Sequence, residues 1–580
     1  MKRTILGLLM TLLASVGFAQ PFVWPNAWSA NPEDARSGGV LRQATVGEVR
    51  TFNPFVSAES TAVADLVFIG ASLVRQGPDS DEFIPYAAES FTVSEDGLTI
   101  DVVLREGLAW SDGTPITVND YFFTYQAETD EAVGSNSFDS WFIDGEPITL
   151  EITGDNSLRF NFPKPDRTAL NVVAFVPWPD HVLGEVYREG GAEALRGVWG
   201  TDADLSQFVG SGPFIPVSYA ANERVILQRN PHYGDWNVDE AGNPLPYLDE
   251  INFSVVESAD SALNLYLAGQ LDVFAPRNLD DIGVINVAVN NGDIDATVIE
   301  NISPVASSQF IVWNWNLASN PFKQELFRST DFRRAMSHLT DRETMVELVY
   351  GGAATPAFSS VYAVQTFWIN DDIPKFEYDP EAALELLAGL GFTQRNSAGF
   401  LVDAEGNELG FTLVTNAGNN QREQLIQIFA DSARAVGVNV QTQTLDFNLM
   451  VDQLLSTGDD RPFEAILIGL TGGSRLYPFG SNVVPCAGNL HMFNTSGECL
   501  TPQERLMERL YFEGRQTLDT EAARDIGFEL QRVEAELQPI VYTVSPSAHA
   551  SWLNTVGGEH PRELMSALVG TRQIQLTYKR

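Results

Sequence analysis

Residues 108–125 read LAWSDGTPITVNDYFFTY, and two readings of this stretch lead to different proteins. Trp110, Ser111, Asp112 and a glycine turn suit a reactive loop with Asp112 or Asp120 as an acid. The same residues suit a well-made corner, and the spacing favours the corner. Thr117-x-x-Asp120 is a capping box for a helix running through Tyr121, Phe122, Phe123 and Tyr125. Ser111-Asp112-Gly113 makes the preceding turn, with Gly113 free to take a positive φ, and Trp110 packs beneath it. Every residue then has a structural task, so the chemistry has to be sought elsewhere.

Outward from this corner the chain is first β-rich. FTVSEDGLTIDVVL (91–104) reads as a hairpin around Asp96-Gly97, and LEITGDNSLRFNF (150–162) repeats the device around Gly154-Asp155-Asn156. GGVLRQATV reads as an earlier strand, with Val40, Ala44 and Val46 at even spacing. Further strands follow at ERVILQRNPHY and LPYLDEINFSVV, then a short helix in SADSALNLYL.

The second half alternates helix and strand. Thr340 and Glu343 fit a capping box, with Gly351-Gly352 as the stop. Asp379 and Pro380 open YDPEAALELLAGLGF as N-cap and first helical residue. NNQREQLIQIFADSARAVGVNV is a helix halted at Gly437 before a strand. FEAILIGL (463–470) is an apolar, central strand, and 502–537 is a long helical stretch before the strand PIVYTVSPSA. Such alternation predicts open α/β sheets, whose ligands bind outside the carboxyl ends of strands. TGGSRLYPFGSN, just after the central strand, is the loop to inspect.

Bulk properties narrow the class. A chain of 580 residues needs more than one core. MKRTILGLLMTLLASVGFAQ has a charged start, an apolar run and small residues before a cut after Ala19. It reads as a secretory signal peptide, residues 1–19, and its apolar run is too short for a membrane span. No Cys follows the cut, so a periplasmic or extracellular protein without a lipid anchor is expected. The net charge of −42 opposes nucleic acid as a partner. It suits a salty or alkaline habitat, or simply follows genome base content. Cys486 and Cys499 are expected to pair in an exported protein, closing a short loop. Two separate thiols are the alternative. A metal site is disfavoured, with His491 the only nearby histidine. No cofactor is expected. G-x-S-x-G, H-E-x-x-H and the phosphate-binding G-x-x-x-x-G-K-[ST] are all missing. A carboxylate pair of glycosidase type stays open among 77 acidic residues, which leaves a secreted hydrolase as the rival class.

LREGLAWSDGTPITVNDYFFTY also resembles the signature region of the family 5 extracellular solute-binding proteins, the receptors of peptide-type ABC importers. GGVLRQATVGEVRTFNPF, VGSGPF, VILQRNPHY, LPYLDEINF, DFRRAMSHLTDRETMVELVYGGAATP, YDPEAALELLAGLGF and TNAGNNQREQLIQIFADSARAVGVNV follow in family order. The resemblance implies a non-catalytic, monomeric receptor of two-lobed, type II periplasmic-binding-protein fold, closing on its ligand by hinge motion. Lobe 1 would comprise 20–58, 170–277 and 529–580, with a β-rich subdomain, 59–169, inserted. Lobe 2 would span 278–528, and the partner would be a membrane permease.

In family members that read a peptide amino terminus, an acidic residue stands four positions before a proline in the loop after the central strand. Here Pro478 marks the proline and Ser474 takes the acidic position. That leaves a peptide held through its backbone, or an oligosaccharide or anion-bearing solute. The resemblance points to Glu48, Phe52, Asn416, Arg475, Tyr477 and Asn482 as ligand contacts. Trp313, Trp315, Trp368 and Tyr477 are candidate aromatic platforms for a sugar, with a core aromatic as the alternative for each.

Overall fold

The computed structural model describes residues 20–57, 63–76, 82–302, 304–305, 307–471, 479, 482–558 and 573–580. The corner at 108–125 is built as its spacing predicts. Thr117 and Asp120 form the capping box of helix Val118–Glu128: Thr117 Oγ1 accepts from Asn119 N, and Asp120 Oδ2 accepts from Thr117 N at 2.7 Å. Asp112 Oδ1 accepts from Thr114 N, Gly113 takes φ 84°, and Trp110 is fully buried. The helix packs on a four-stranded antiparallel sheet ordered Ala88–Val93, Thr99–Leu104, Ser157–Asn161 and Thr149–Gly154. Alternate residues Ile100, Val102, Leu104, Leu158 and Phe160 face that core, the period of two expected of a half-buried strand.

A second four-stranded sheet runs Phe214–Ala220, Arg224–Arg229, Glu250–Val256 and Val40–Val46, the last pair parallel. Its core contains Leu41, Phe52, Val225, Leu227, Ile251 and Phe253. The even-numbered face expected for Val40–Val46 is the outer one: Val40 and Val46 are 37% and 50% exposed, while Leu41 and Thr45 are buried. Register sets this parity. Leu41 pairs with Ile251 and Gln43 with Phe253, so the odd residues share the inward face, and a shift of one residue reverses every side chain.

The large core belongs to a mixed five-stranded sheet ordered Asn439–Leu445, Gly410–Asn416, Ala465–Thr471, Ser307–Trp313 and Ile540–Tyr542. Ala465–Thr471 is central, as expected. Helix Pro380–Gly389 starts at Asp379 with Pro380 in its first turn, and Asn420–Ala435 ends just before Gly437. One expectation fails locally. Asp341, not Thr340, caps Arg342–Tyr350, accepting from Thr344 N at 3.0 Å. Thr340 is buried and its hydroxyl donates to Met336 O, closing the preceding helix Thr330–His338 instead. The stretch 502–537 is two packed helices, Pro502–Gln516 and Thr520–Leu537, each with its own N-cap in Thr501 and Asp519.

Shared cores and sheet pairing group the segments around residues 278 and 528. Helix Leu279–Asn291 shares a small core with Leu263, Tyr266 and Phe274. Strand Ala296–Ile299 pairs with Ala550–Leu553, which also pairs with Val273–Phe274. Residues 278–299 therefore pack with the first part of the chain. At the other end, residue 528 falls inside helix Thr520–Leu537, and Ile540–Tyr542 completes the large sheet. Sheet pairing here joins segments distant in sequence. The chain passes between the cores as two adjacent segments: Ile302 N donates to Ala548 O, Val305 N to Pro546 O, and Asn301 N to His549 Nδ1. Among the described residues no helix is long and apolar enough to cross a membrane.

Candidate functional site

Gly410–Asn416 and Ala465–Thr471 run parallel, so their carboxyl ends share one edge of the large sheet. Ser307–Trp313 runs antiparallel to the central strand and brings its amino end there, with Gln309 opposite Gly469. At this edge Arg422, in the first turn of helix Asn420–Ala435, donates through Nε to Gln309 Oε1 (2.9 Å) and through Nη1 to Asn416 Oδ1 (2.8 Å). Asn419 caps the helix and orients that turn, accepting from Arg422 N. Gly469 makes room for the amide: a Cβ there would lie 2.3 Å from Gln309 Nε2.

Two carbonyl oxygens aim the guanidinium but do not neutralise it. Among the described residues no carboxylate pairs with Arg422. Desolvation pushes it down to about 10, with Tyr350 acting in the opposite sense, so it stays cationic at neutral pH. The side chain still keeps partial solvent exposure. The sequence between Thr471 and Phe479, GGSRLYP, contains no acid and one further arginine.

The same helix start touches the other half of the chain. Asn420 Nδ2 donates to Asp260 Oδ2 at 2.5 Å, and Asp260 is held by Arg277 at 2.6 Å. A Cβ on Gly418 would lie 2.9 Å from Glu257 O. Arg50 and Asp452 form a second, exposed bridge at 3.2 Å, worth little in stability. The Arg422 cluster therefore sits where the two halves meet.

Of the residues singled out from sequence, Asn416 is in this cluster. Phe52 is 1% exposed and packs edge-on against Tyr219 in the core of the second four-stranded sheet. Glu48 is tied down by Tyr219 Oη (2.6 Å) and Asn222 N, both within the hairpin of the second four-stranded sheet. Asn482 donates to Asn489 Oδ1 in the loop region of the disulfide. Arg475 and Tyr477, with Ser474 and Pro478, lie outside the described residues. The tryptophans are core residues. Trp313 packs on Phe332, Phe411 and Phe429, Trp315 on Phe493 and Arg333, and Trp368 on Phe479. None offers a free face as a platform, because strand alternation and helix packing close over them.

Gln309 and Arg422 were not among the residues picked out. The available signal was Gln309 itself, a polar residue inside the apolar strand SSQFIVW, where such groups need a partner.

Cys486 and Cys499 are bridged, with Cα atoms 5.2 Å apart. Among the described residues, both clusters with metal-ligand spacing use Cys486: one with Cys499 and Glu508, the other with His491 and Glu504. The bridge takes that sulfur out of thiolate chemistry. His491 Nδ1 lies 2.8 Å from Val483 O, and Glu504 is engaged by Asn494 and by its own capping box.

Comparison with known proteins agrees with this architecture. The model for bacterial extracellular solute-binding proteins, family 5 Middle, matches residues 82–483. A probable ABC transporter-binding protein of Deinococcus radiodurans is 40% identical over 595 aligned positions, covering 100% of both chains. The oligopeptide-binding protein AppA of Bacillus subtilis, solved with a nonapeptide, superposes with a TM-score of 0.79 at 22% identity, covering 94% of this chain and 100% of its own. The periplasmic binding protein MelB of Agrobacterium fabrum, solved with stachyose, gives 0.82 at 19% identity, covering 97% and 87%. The sheets and helices described above are thus those of a two-lobed periplasmic-binding-protein fold, and the chain belongs to the family 5 bacterial extracellular solute-binding proteins.

Proposed function

We propose that this solute-binding receptor of an ABC importer captures a peptide, or a similar oligomeric solute bearing carbonyl or carboxylate groups, at the sheet edge formed by Gln309, Asn416 and Arg422. The observation that carries the reading is the Arg422 guanidinium: cationic, largely desolvated, partly accessible, and without a carboxylate partner among the described residues of a chain with 77 acidic side chains. Its remaining N–H groups, unbonded among the described residues, suit a carboxylate or a peptide carbonyl, and charge-assisted bonds of that kind are the strong ones. The amides of Gln309 and Asn416 add donors suited to a peptide backbone. The MelB likeness keeps an oligosaccharide as the outcome to test against. The N-terminal segment, with its charged start and apolar run, supports export and cleavage after Ala19. A binding role without catalysis follows the family.

Thermal melting of the purified protein against a panel of peptides, the same peptides as C-terminal amides, neutral oligosaccharides and uronic-acid oligosaccharides tests this. A ligand of the folded state raises Tm. The expected hits are peptides, with free acids outperforming amides. Stabilisation by neutral oligosaccharides alone would overturn the reading.

A further inference from the structure

Arg515 and Asp166 are 349 residues apart and belong to different cores, yet both are buried, with side chains 9% and 0% exposed. Asp166 follows strand Ser157–Asn161 and leads into Ala169–Val173, whose Ala169, Val172 and Val173 pack in the core of the β-rich unit. Arg515 closes helix Pro502–Gln516, which is anchored in the large core by Met507, Leu510 and Tyr511. Arg515 Nε and Nη2 both donate to Asp166 Oδ2, at 2.9 and 2.6 Å. The neighbouring residue extends the contact. Arg167 N donates to Arg515 O at 2.9 Å, Arg167 Nη1 donates to Thr517 O at 2.8 Å, and the guanidinium lies 5.2 Å over the Trp368 ring.

We propose that Asp166 and Arg515 form a latch that holds the β-rich unit against the large-core unit and so sets how readily the receptor closes, making them positioning residues for solute capture although neither belongs to the Arg422 cluster. This rests on the receptor reading above, because a latch matters only if the two halves separate. The two partners are prepared unequally for separation. Asp166 Oδ1 already accepts from Thr168 N and Oγ1, both at 2.8 Å, so the acceptor stays aimed within its own unit. Arg515 has a long side chain that water solvates once the contact opens. Desolvating both charges nearly cancels their attraction, so the intact pair favours closure only modestly. Removing one partner leaves a buried charge uncompensated, which is strongly unfavourable to the closed form alone. The pair therefore selects one closed arrangement while leaving it reversible.

The test places spin labels at Val93→Cys, on an exposed strand position of the β-rich unit, and Leu449→Cys, on an exposed helix position of the large-core unit. The native cysteines are bridged and do not react. Distances are measured by pulsed electron resonance on protein freed of co-purifying solute, without added ligand. The parent should show a short-distance population. Arg515→Gln and Asp166→Asn should each lower the short-to-long ratio by about tenfold or more, and Arg515→Lys by less. Melting curves accompany each variant, and Asp166→Asn, the closest match in shape, serves if Arg515→Gln does not fold. An unchanged distance distribution in Arg515→Gln and Asp166→Asn would overturn the latch. So would a retained single short distance with lowered Tm, which would make the contact a permanent weld. Because no solute is added, failure here leaves the thermal panel free to support the receptor reading, and failure of the panel leaves the latch result readable.

Discussion

Replacing Arg422 with Met removes the charge while keeping much of the side-chain volume. In the structure it deletes two hydrogen bonds from a charged donor, to Gln309 Oε1 and Asn416 Oδ1. Each such bond is worth about 1.5–3 kcal/mol. The loss is offset because a desolvated guanidinium is also removed. A net destabilisation of about 1–3 kcal/mol follows, a small change in Tm for a protein of this size. Binding should suffer more. One charge-assisted contact to the solute is worth about 1.5–3 kcal/mol, which is roughly 10- to 150-fold in Kd at 1.4 kcal/mol per factor of ten. Arg422→Lys keeps the charge but not the planar fork, so it should fall between. Isothermal titration with the best peptide from the thermal panel measures all three proteins. With the guanidinium pushed down to about 10, wild-type affinity should be flat between pH 6 and 8.5 and decline only as pH approaches that value. Unchanged Kd in Arg422→Met, with normal folding, would refute the placement of the ligand at this cluster.

Three other outcomes follow from the structure. Thr117→Ala removes one half of the capping box and should cost about 1 kcal/mol in urea unfolding, without altering solute affinity. Glu128 is buried and its carboxyl is pushed up from 4.5 to about 7, chiefly by desolvation and against the Trp141 Nε1 bond. Between those values the folded state keeps a proton that the unfolded chain has lost, so stability falls as pH rises through the window and the penalty vanishes below it. At about 1.36 kcal/mol per unit this reaches roughly 3 kcal/mol by pH 8. Glu128→Gln should bring the urea midpoints at pH 5 and pH 8 closer together, and an unaltered difference would count against the buried carboxyl. Replacing both Cys486 and Cys499 with Ser should lower stability by about 3 kcal/mol on the loop-entropy model, seen as faster amide exchange across residues 482–500.

What could be read from the sequence was local. The capping box at Thr117, the Asp96-Gly97 hairpin and the Asp379-Pro380 helix start each rest on residues within four positions of one another, and each is present. The central strand could be read because a continuous apolar run of that length needs burial on both faces. What failed depended on partners far away in the chain. The inward face of Val40–Val46 is set by Glu250–Val256, and Ala296–Ile299 finds its partner Ala550–Leu553 across more than 240 residues. The site was half legible for the same reason. Asn416 lies at the end of a strand whose following loop marked it. Gln309 becomes meaningful only beside Gly469 and Arg422, three residues brought together by sheet order. Trp313, Trp315 and Trp368 take the core alternative, which composition could not decide because it does not say which face an aromatic side chain turns inward.

The central claim is that a solute carrying carbonyl or carboxylate groups is held where the two halves meet, at Arg422. Native mass spectrometry of the protein purified under gentle conditions tests it most directly. The account predicts an adduct that fragments as a peptide and is lost or much reduced in Arg422→Met. An adduct that fragments as neutral hexoses, or a peptide adduct retained in full by the variant, would contradict it.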